Sequence, residues 1–109
     1  SSIQYMFSKI CETWDNAFIS SVHGRDLDFP NYLKTYKKMG LLTDNKYTPQ
    51  NIAKILLEKK LIHFEIIVGE NLSYDNEIIR KYEVEELAYE EKKFDINVVV
   101  IREVKICAI

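Results

Sequence analysis

Glycine is scarce in this chain: Gly24, Gly40 and Gly69 are the only three in 109 residues. A self-sufficient phosphate cradle needs glycines clustered in one turn, and neither GxGxxG nor a Walker loop occurs. HExxH and GxSxG are missing as well, which removes the usual zinc-protease and α/β-hydrolase chemistries. The two cysteines, Cys11 and Cys107, stand near opposite ends and outside any CxxC or metal-ligand spacing. That excludes a disulfide framework and leaves two reduced thiols, at least one expected in the core; no metal site is expected. No apolar run approaches the roughly 20 residues of a membrane span, and no secretory signal pattern occurs. An excess of one charge is also lacking, since 17 acidic and 15 basic residues are interspersed for a net charge of −2. A nucleic-acid binder would show a basic face, so neither nucleic acid nor membrane is an expected partner. Repeats, low-complexity tracts and Pro/Gly/Ser-rich linkers are absent. What remains, at 47% apolar and 29% charged residues, is one globular domain with a cytoplasmic character.

Ile3, Met6, Phe7 and Ile10 recur at helical spacing and predict a first amphipathic helix, capped by Ser1 or Ser2 and ended by Trp14-Asp15-Asn16. Ala17 to Val22 is a first strand, left through His23-Gly24-Arg25-Asp26, where Gly24 permits a sharp exit. Phe29, Tyr32, Leu33, Tyr36 and Met39 predict a second helix, with Asp28 as cap and Gly40 as stop. Leu41 to Thr43 is a short strand. Thr48 is a good N-cap and Pro49 suits the first position of a third helix, Pro49 to Lys60. Phe64 to Gly69 is the clearest strand, a β-branched run closed by glycine. Glu70 to Asn76 follows as a loop. Glu77 to Tyr82 reads as strand or helix, with strand favoured, and Glu83 to Glu90 as a short helix. Asp95 to Ile101 is a final strand, β-branched and expected at the centre, which the tail Arg102 to Ile109 extends. The order α-β-α-β-α-β-β-α-β predicts a single α/β domain with a mixed, mostly parallel sheet of about five strands flanked by helices. Tyr5, Phe7, Tyr32 and Tyr36 sit on helical stripes and read as core.

The polar residues gather in strand-end loops at 23–26, 43–47 and 69–74. Open α/β sheets place ligands at the carboxyl ends of their strands, and a following helix start leaves backbone N–H groups free, which makes Thr43 to Tyr47 the first candidate for a ligand contact. His23-Gly24-Arg25-Asp26 either meets a carboxylated substrate or carries a structural Arg25–Asp26 pair. Glu70-Asn71-Leu72-Ser73-Tyr74 either offers backbone groups to a ligand or is an ordinary polar loop. His63, between helix and strand, reads as a surface or capping residue.

Taken in order, Ser1-Ser2-Ile3-Gln4-Tyr5, Trp14-Asp15, His23-Gly24-Arg25-Asp26, Leu42-Thr43-Asp44 with Thr48-Pro49, and Val68-Gly69-Glu70-Asn71-Leu72-Ser73-Tyr74 resemble the C-terminal half of the tetrapyrrole methylase family, in the branch that acts on precorrins and cobalt-precorrins in cobalamin biosynthesis. That family has two α/β domains with S-adenosylmethionine in the cleft between them. Its GxGPG segment belongs to the N-terminal domain and has no counterpart here. The resemblance therefore implies that residues 1–109 are the C-terminal domain of a methyltransferase, inactive alone, and the start on Ser1 without a methionine suggests a piece of a longer protein. It implies cofactor contacts at Ser1 and Ser2, at Leu42, Thr43 and Asp44, and at Gly69, Glu70, Asn71 and Leu72. His23 and Arg25 match a subgroup motif, read as substrate-binding, with Arg25 pairing a tetrapyrrole carboxylate and His23 as proton acceptor. Asn76-Glu77 departs from the acidic-Glu-Arg sequence of many relatives. A homodimer and a decarboxylating methylase are further partners the resemblance suggests. The competing class is a non-enzymatic α/β interaction module.

Overall fold

A computed structural model describes residues 2–10, 12, 17–21 and 28–104. The elements follow the expected order: α1 (Ser2–Lys9), β1 (Phe18–Ser21), α2 (Phe29–Tyr36), β2 (Lys38–Leu42), α3 (Pro49–Glu58), β3 (Phe64–Glu70), β4 (Ile78–Glu83), α4 (Val84–Ala88) and β5 (Asn97–Glu103). Cys11, Trp14-Asp15-Asn16, Val22, His23, Gly24, Arg25, Asp26 and Cys107 lie outside the described residues. Among the described residues no helix is long and apolar enough to cross a membrane.

The strands form one sheet in the order β1-β2-β5-β3-β4. It is mixed and five-stranded, with β5 central as expected. The parallel majority is not found: β1 and β2 run parallel, whereas β2–β5, β5–β3 and β3–β4 are antiparallel. The connections explain this, because a parallel neighbour needs a crossover of a dozen or more residues. Residues 22–37, with α2, provide one between β1 and β2. The helix α3 likewise returns β3 in the direction of β2, but β5 inserts between them, and β3 turns into β4 through the short loop 71–77.

Side chains alternate across this sheet. From β5, Val98 and Val100 join Ile67 in a cluster with Ile3, Met6 and Phe7 of α1. Val99 and Ile101 face the other way and join Ile66 and Val68 with Leu33 of α2, Ile52 and Leu56 of α3, and Leu87 of α4. The sheet is thus covered on both faces, on one of them, among the described residues, by α1 alone. Gly40 and Gly69 permit the close approach of α1: a Cβ at Gly40 would stand 2.8 Å from Ile3 Cγ2 and 2.9 Å from Phe7 Cε2.

Gly40 does not stop α2. That helix ends at Tyr36, and Lys37 takes the left-handed C-cap position (φ 63°), its N–H donating to the Leu33 carbonyl. Asp28 occupies the N-cap without a side-chain capping bond. Thr48 caps α3 as expected, accepting from the Asn51 N–H at 3.2 Å. Tyr32 and Tyr36 are not core. They stand 38% and 40% exposed, and Tyr32 stacks on Phe18 with ring centroids 4.1 Å apart, because α2 lies over the edge strand, where among the described residues no further layer covers its outer stripe. The last strand starts at Asn97 rather than Asp95 and runs on through Arg102 and Glu103.

A row of charges crosses the α1 face at the end opposite Leu42, Val98 and Gly69. Arg102 is the ladder partner of both Lys38 and Glu65. Its Nε donates to Glu65 Oε1 at 2.5 Å, and Glu12 bridges Lys38 Nζ at 2.8 Å and Arg102 Nη1 at 3.2 Å. The Lys38 hydrogen bond is the chief cause holding the Glu12 carboxyl below its ordinary range.

Candidate functional site

The mixed topology brings three strand ends together. In the ladders Val98 is the partner of Leu42 on one side and of Gly69 on the other, so the carboxyl ends of β2 and β3 flank the amino end of β5. In the next row Glu70 and Asn97 are the last ladder pair, and Thr43 is the first residue past β2. Two cavities open there.

The first, of about 350 Å³, is mostly apolar and is lined by Ser2, Leu42, Thr43, Gly69, Leu72 and Tyr74, with Ile96, Asn97 and Val98 as its third side. The second, of about 430 Å³, lies between the 43–50 segment and residues 92–97; Asp44, Asn45, Gln50, Lys92 and Lys93 give it a polar wall. Thr43, Ile96 and Asn97 line both. Thr43 Oγ1 stands 2.6 Å from Asn97 Oδ1 and 3.0 Å from the Asn97 carbonyl oxygen, and donates to that residue. This contact lies in the lining that the two cavities share.

The loops around them are built by short-range hydrogen bonds. Asp44 Oδ1 accepts from the Lys46 N–H at 2.9 Å and the Tyr47 N–H at 2.7 Å, an aspartate turn that shapes the start of α3. Asn51 Nδ2 closes the same loop on the Lys46 carbonyl at 2.8 Å. On the other side, Asn71 and Ser73 adopt left-handed backbone conformations (φ 52° and 72°) that curl the chain after β3. Glu77 then fixes this loop to α1, its Oε1 accepting from the Ser73 N–H at 3.0 Å and from the Tyr5 hydroxyl at 2.5 Å. Those two bonds, the Ser73 one foremost, hold the Glu77 carboxyl below its ordinary range.

Of the residues singled out by resemblance, Ser2, Leu42, Thr43, Gly69 and Leu72 meet at the apolar cavity. Asp44 faces the polar one. Glu70 and Asn71 line neither. Asn71 donates its N–H to the Ile96 carbonyl at 3.0 Å and its Nδ2 to Asp95 Oδ2 at 3.0 Å, while Glu70 is buried beneath Lys92 and Asp95. Ser1, His23 and Arg25 lie outside the described residues. Sequence reasoning missed Ile96, Asn97 and Val98. The assumed parallel sheet hid them, because a parallel central strand would bring its carboxyl end here, whereas an antiparallel one delivers its first residues. Tyr74, at the end of the 70–74 loop expected to offer backbone groups to a ligand or to be an ordinary polar loop, is 71% exposed and rims the apolar cavity.

No model of a known protein family matches the chain. A curated cobalt-precorrin-7 C(5)-methyltransferase from Salmonella typhimurium is 30% identical over 79 residues, which cover 72% of this chain and 39% of the relative. The chain thus spans about two fifths of the length of the curated relatives it matches. Among solved structures, the cobalamin biosynthesis precorrin-6Y methylase from Archaeoglobus fulgidus superposes with a TM-score of 0.63 at 17% identity, covering 96% of this chain and 46% of that one. A uroporphyrin-III C-methyl transferase from Thermus thermophilus, complexed with S-adenosyl homocysteine, gives a TM-score of 0.59 at 18% identity, covering 79% and 39% respectively. These structures share the fold; the Salmonella relative adds likeness in sequence. The chain thus has the fold of the tetrapyrrole methylases, and in sequence it is similar to a cobalt-precorrin-7 C(5)-methyltransferase.

Proposed function

We propose that this chain is the C-terminal domain of an S-adenosylmethionine-dependent methyltransferase that methylates a ring carbon of a precorrin or cobalt-precorrin in cobalamin biosynthesis, a cytoplasmic enzyme whose N-terminal domain supplies the other wall of the cofactor cleft. One observation carries the reading: Leu42, Thr43, Gly69 and Leu72, picked out by resemblance from two separate stretches, line a single cavity together with Ser2. Its size falls within the roughly 300–1,000 Å³ of small-molecule sites, and its make-up, apolar walls with a few polar groups, is the usual one. The fit is to the adenosine end of the cofactor. Leu42, Leu72, Ile96 and Val98 offer apolar walls to a flat purine, while the Thr43 hydroxyl and the Asn97 amide offer polar groups to its edge or to a ribose.

When bound, S-adenosylmethionine supplies an activated methyl group on a sulfonium, and the reacting ring carbon is itself electron-rich. The protein's share is orientation and exclusion of water. In this chain Leu42, Gly69 and Leu72 would hold the purine, and Thr43 would fix its rotation. Arg25 would pair with a peripheral carboxylate of the tetrapyrrole, and His23 would take up the proton released after transfer. The domain alone, holding half a cleft, would be inactive. A homodimer and a decarboxylating methylase partner belong to the same reading.

The test is calorimetric titration of S-adenosylhomocysteine into this chain and into the same chain with its upstream half restored. Binding only in the restored protein, weakened about 100-fold (~2.8 kcal/mol) by Thr43→Trp or Leu72→Trp, supports the split cleft. Absence of binding in the restored protein, or of a GxGPG segment upstream of Ser1, defeats the reading and leaves a non-enzymatic α/β module.

A further inference from the structure

Among the described residues Glu70 is the one charged side chain that is buried, with 3% of its surface exposed. A buried carboxylate is costly unless its oxygens are matched by donors. Both are: Oε1 accepts from Lys92 Nζ at 2.6 Å and Oε2 from the Asp95 backbone N–H at 2.9 Å. Both donors belong to the segment 91–96 that joins α4 to β5. This segment has no ladder partner, and Ile96 at its end stands 79% exposed, so packing alone does not hold that end. Hydrogen bonds do. Gln50 Nε2 donates to the carbonyls of Glu90 at 3.2 Å and Lys92 at 2.5 Å from the α3 side, and Glu70 grips it from the end of β3. Ile96 and the adjoining Asn97 then wall both cavities, while Glu70 lines neither.

We propose that Glu70 is a positioning residue for the ligand site: its buried carboxylate holds segment 91–96 down on the end of β3 and so sets the wall made by Ile96 and Asn97, without touching the ligand. The inference rests on the adenosine reading of the apolar cavity and changes what Glu70 does in it. A preformed wall spares the ligand the cost of ordering a loop on binding. Gln50 holds the segment near its start, whereas Glu70 holds its end at Lys92 and Asp95, beside the neighbouring Asn71, which bonds the Ile96 carbonyl and Asp95 Oδ2.

The experiment is a double-mutant cycle on the protein with its upstream half restored, using Glu70→Ala, Lys92→Met and the pair, with S-adenosylhomocysteine titrated well below the melting temperature. Glu70→Ala is expected to weaken binding about tenfold and Lys92→Met by less. Because both substitutions cut one tether, the double variant should bind no worse than Glu70→Ala alone. Losses that multiply would mean a direct contact from Glu70 and overturn the proposal, as would Glu70→Ala binding at full strength. Lys92→Met keeps the cycle informative should Glu70→Ala fail to fold, since that side chain is partly solvent-facing and an undiminished affinity there removes the tether's role. Hydrogen exchange at the Asp95 amide gives a readout free of ligand: protection should fall in Glu70→Ala while the Asn51 amide keeps its own, and an Asp95 amide that stays protected overturns the tether. If the unaltered protein binds no S-adenosylhomocysteine, the adenosine reading falls, and the exchange result alone decides whether Glu70 holds the segment.

Discussion

Met6 lies so close over Gly69 that a Cβ on the glycine would stand 2.6 Å from the Met6 sulfur, and Leu72 Cδ2 would be 2.9 Å away on its other side. One missing side chain therefore lets α1 settle on the sheet and lets Leu72 close the cavity beside it. Gly69→Ala is expected to destabilise the fold by ~1–3 kcal/mol through overpacking. Gly40→Ala should cost more than Gly69→Ala, because its neighbours are the β-branched Ile3 and the ring of Phe7, and neither yields as an unbranched methionine does. Urea unfolding of the two variants ranks them, and a Gly69→Ala protein as stable as its parent would show that the α1 packing is looser than described.

Asp44 separates a ligand role from a local one. Its Oδ1 serves the Lys46 and Tyr47 N–H groups, a task that asparagine performs equally well. Asp44→Asn should therefore keep thermal stability, whereas Asp44→Ala should lose about 1 kcal/mol with the turn. A melting curve for each decides it. If Asp44→Asn falls as far as Asp44→Ala, charge rather than turn geometry is what the position needs.

Acid should loosen the 71–77 loop. The Glu77 carboxyl titrates below its ordinary value of 4.5 in the folded protein, first because the Ser73 N–H and then because the Tyr5 hydroxyl bonds its charged form. A group whose pKa is lowered on folding stabilises the folded state above its unfolded value, and that contribution is lost as pH falls through the folded one. Between neutrality and the ordinary value the tie to α1 should hold, and below it the Ser73 amide should lose exchange protection. Tyr5→Phe removes one of the bonds and should move the midpoint upward. An unmoved midpoint, or a Ser73 amide indifferent to acid, counts against the clamp.

What could be read from residues alone was local. The α1 stripe of Ile3, Met6 and Phe7, the Thr48 cap ahead of Pro49 and the β-branched run from Phe64 each depend on neighbours within a few positions, and each is found. Strand direction is not local. Nothing between Val98 and Ile101 reveals that β5 runs against both of its neighbours, so the residues at its start escaped notice although those at the ends of β2 and β3 did not. Glu70 is a second instance. Its charge looked like a surface group or a ligand contact, because its partner Lys92 is 22 residues away and is brought near only by the hairpin and helix between them. Lys37 is a third: a lysine in a left-handed cap was masked by Gly40, the more obvious stop, whose smallness answers to the ring of Phe7 instead.

The strand at the centre of the sheet is also the last of the five to emerge in synthesis. Until residues 97–103 are available, β1 with β2 and β3 with β4 are two separate ribbons that share no backbone hydrogen bond. The floor of the cavity is then completed in the same event that joins them, when Val98 arrives between Leu42 and Gly69. An early-released nascent chain would hold both rims of the site and no site, and folding should wait on contacts far apart in sequence rather than proceed ribbon by ribbon.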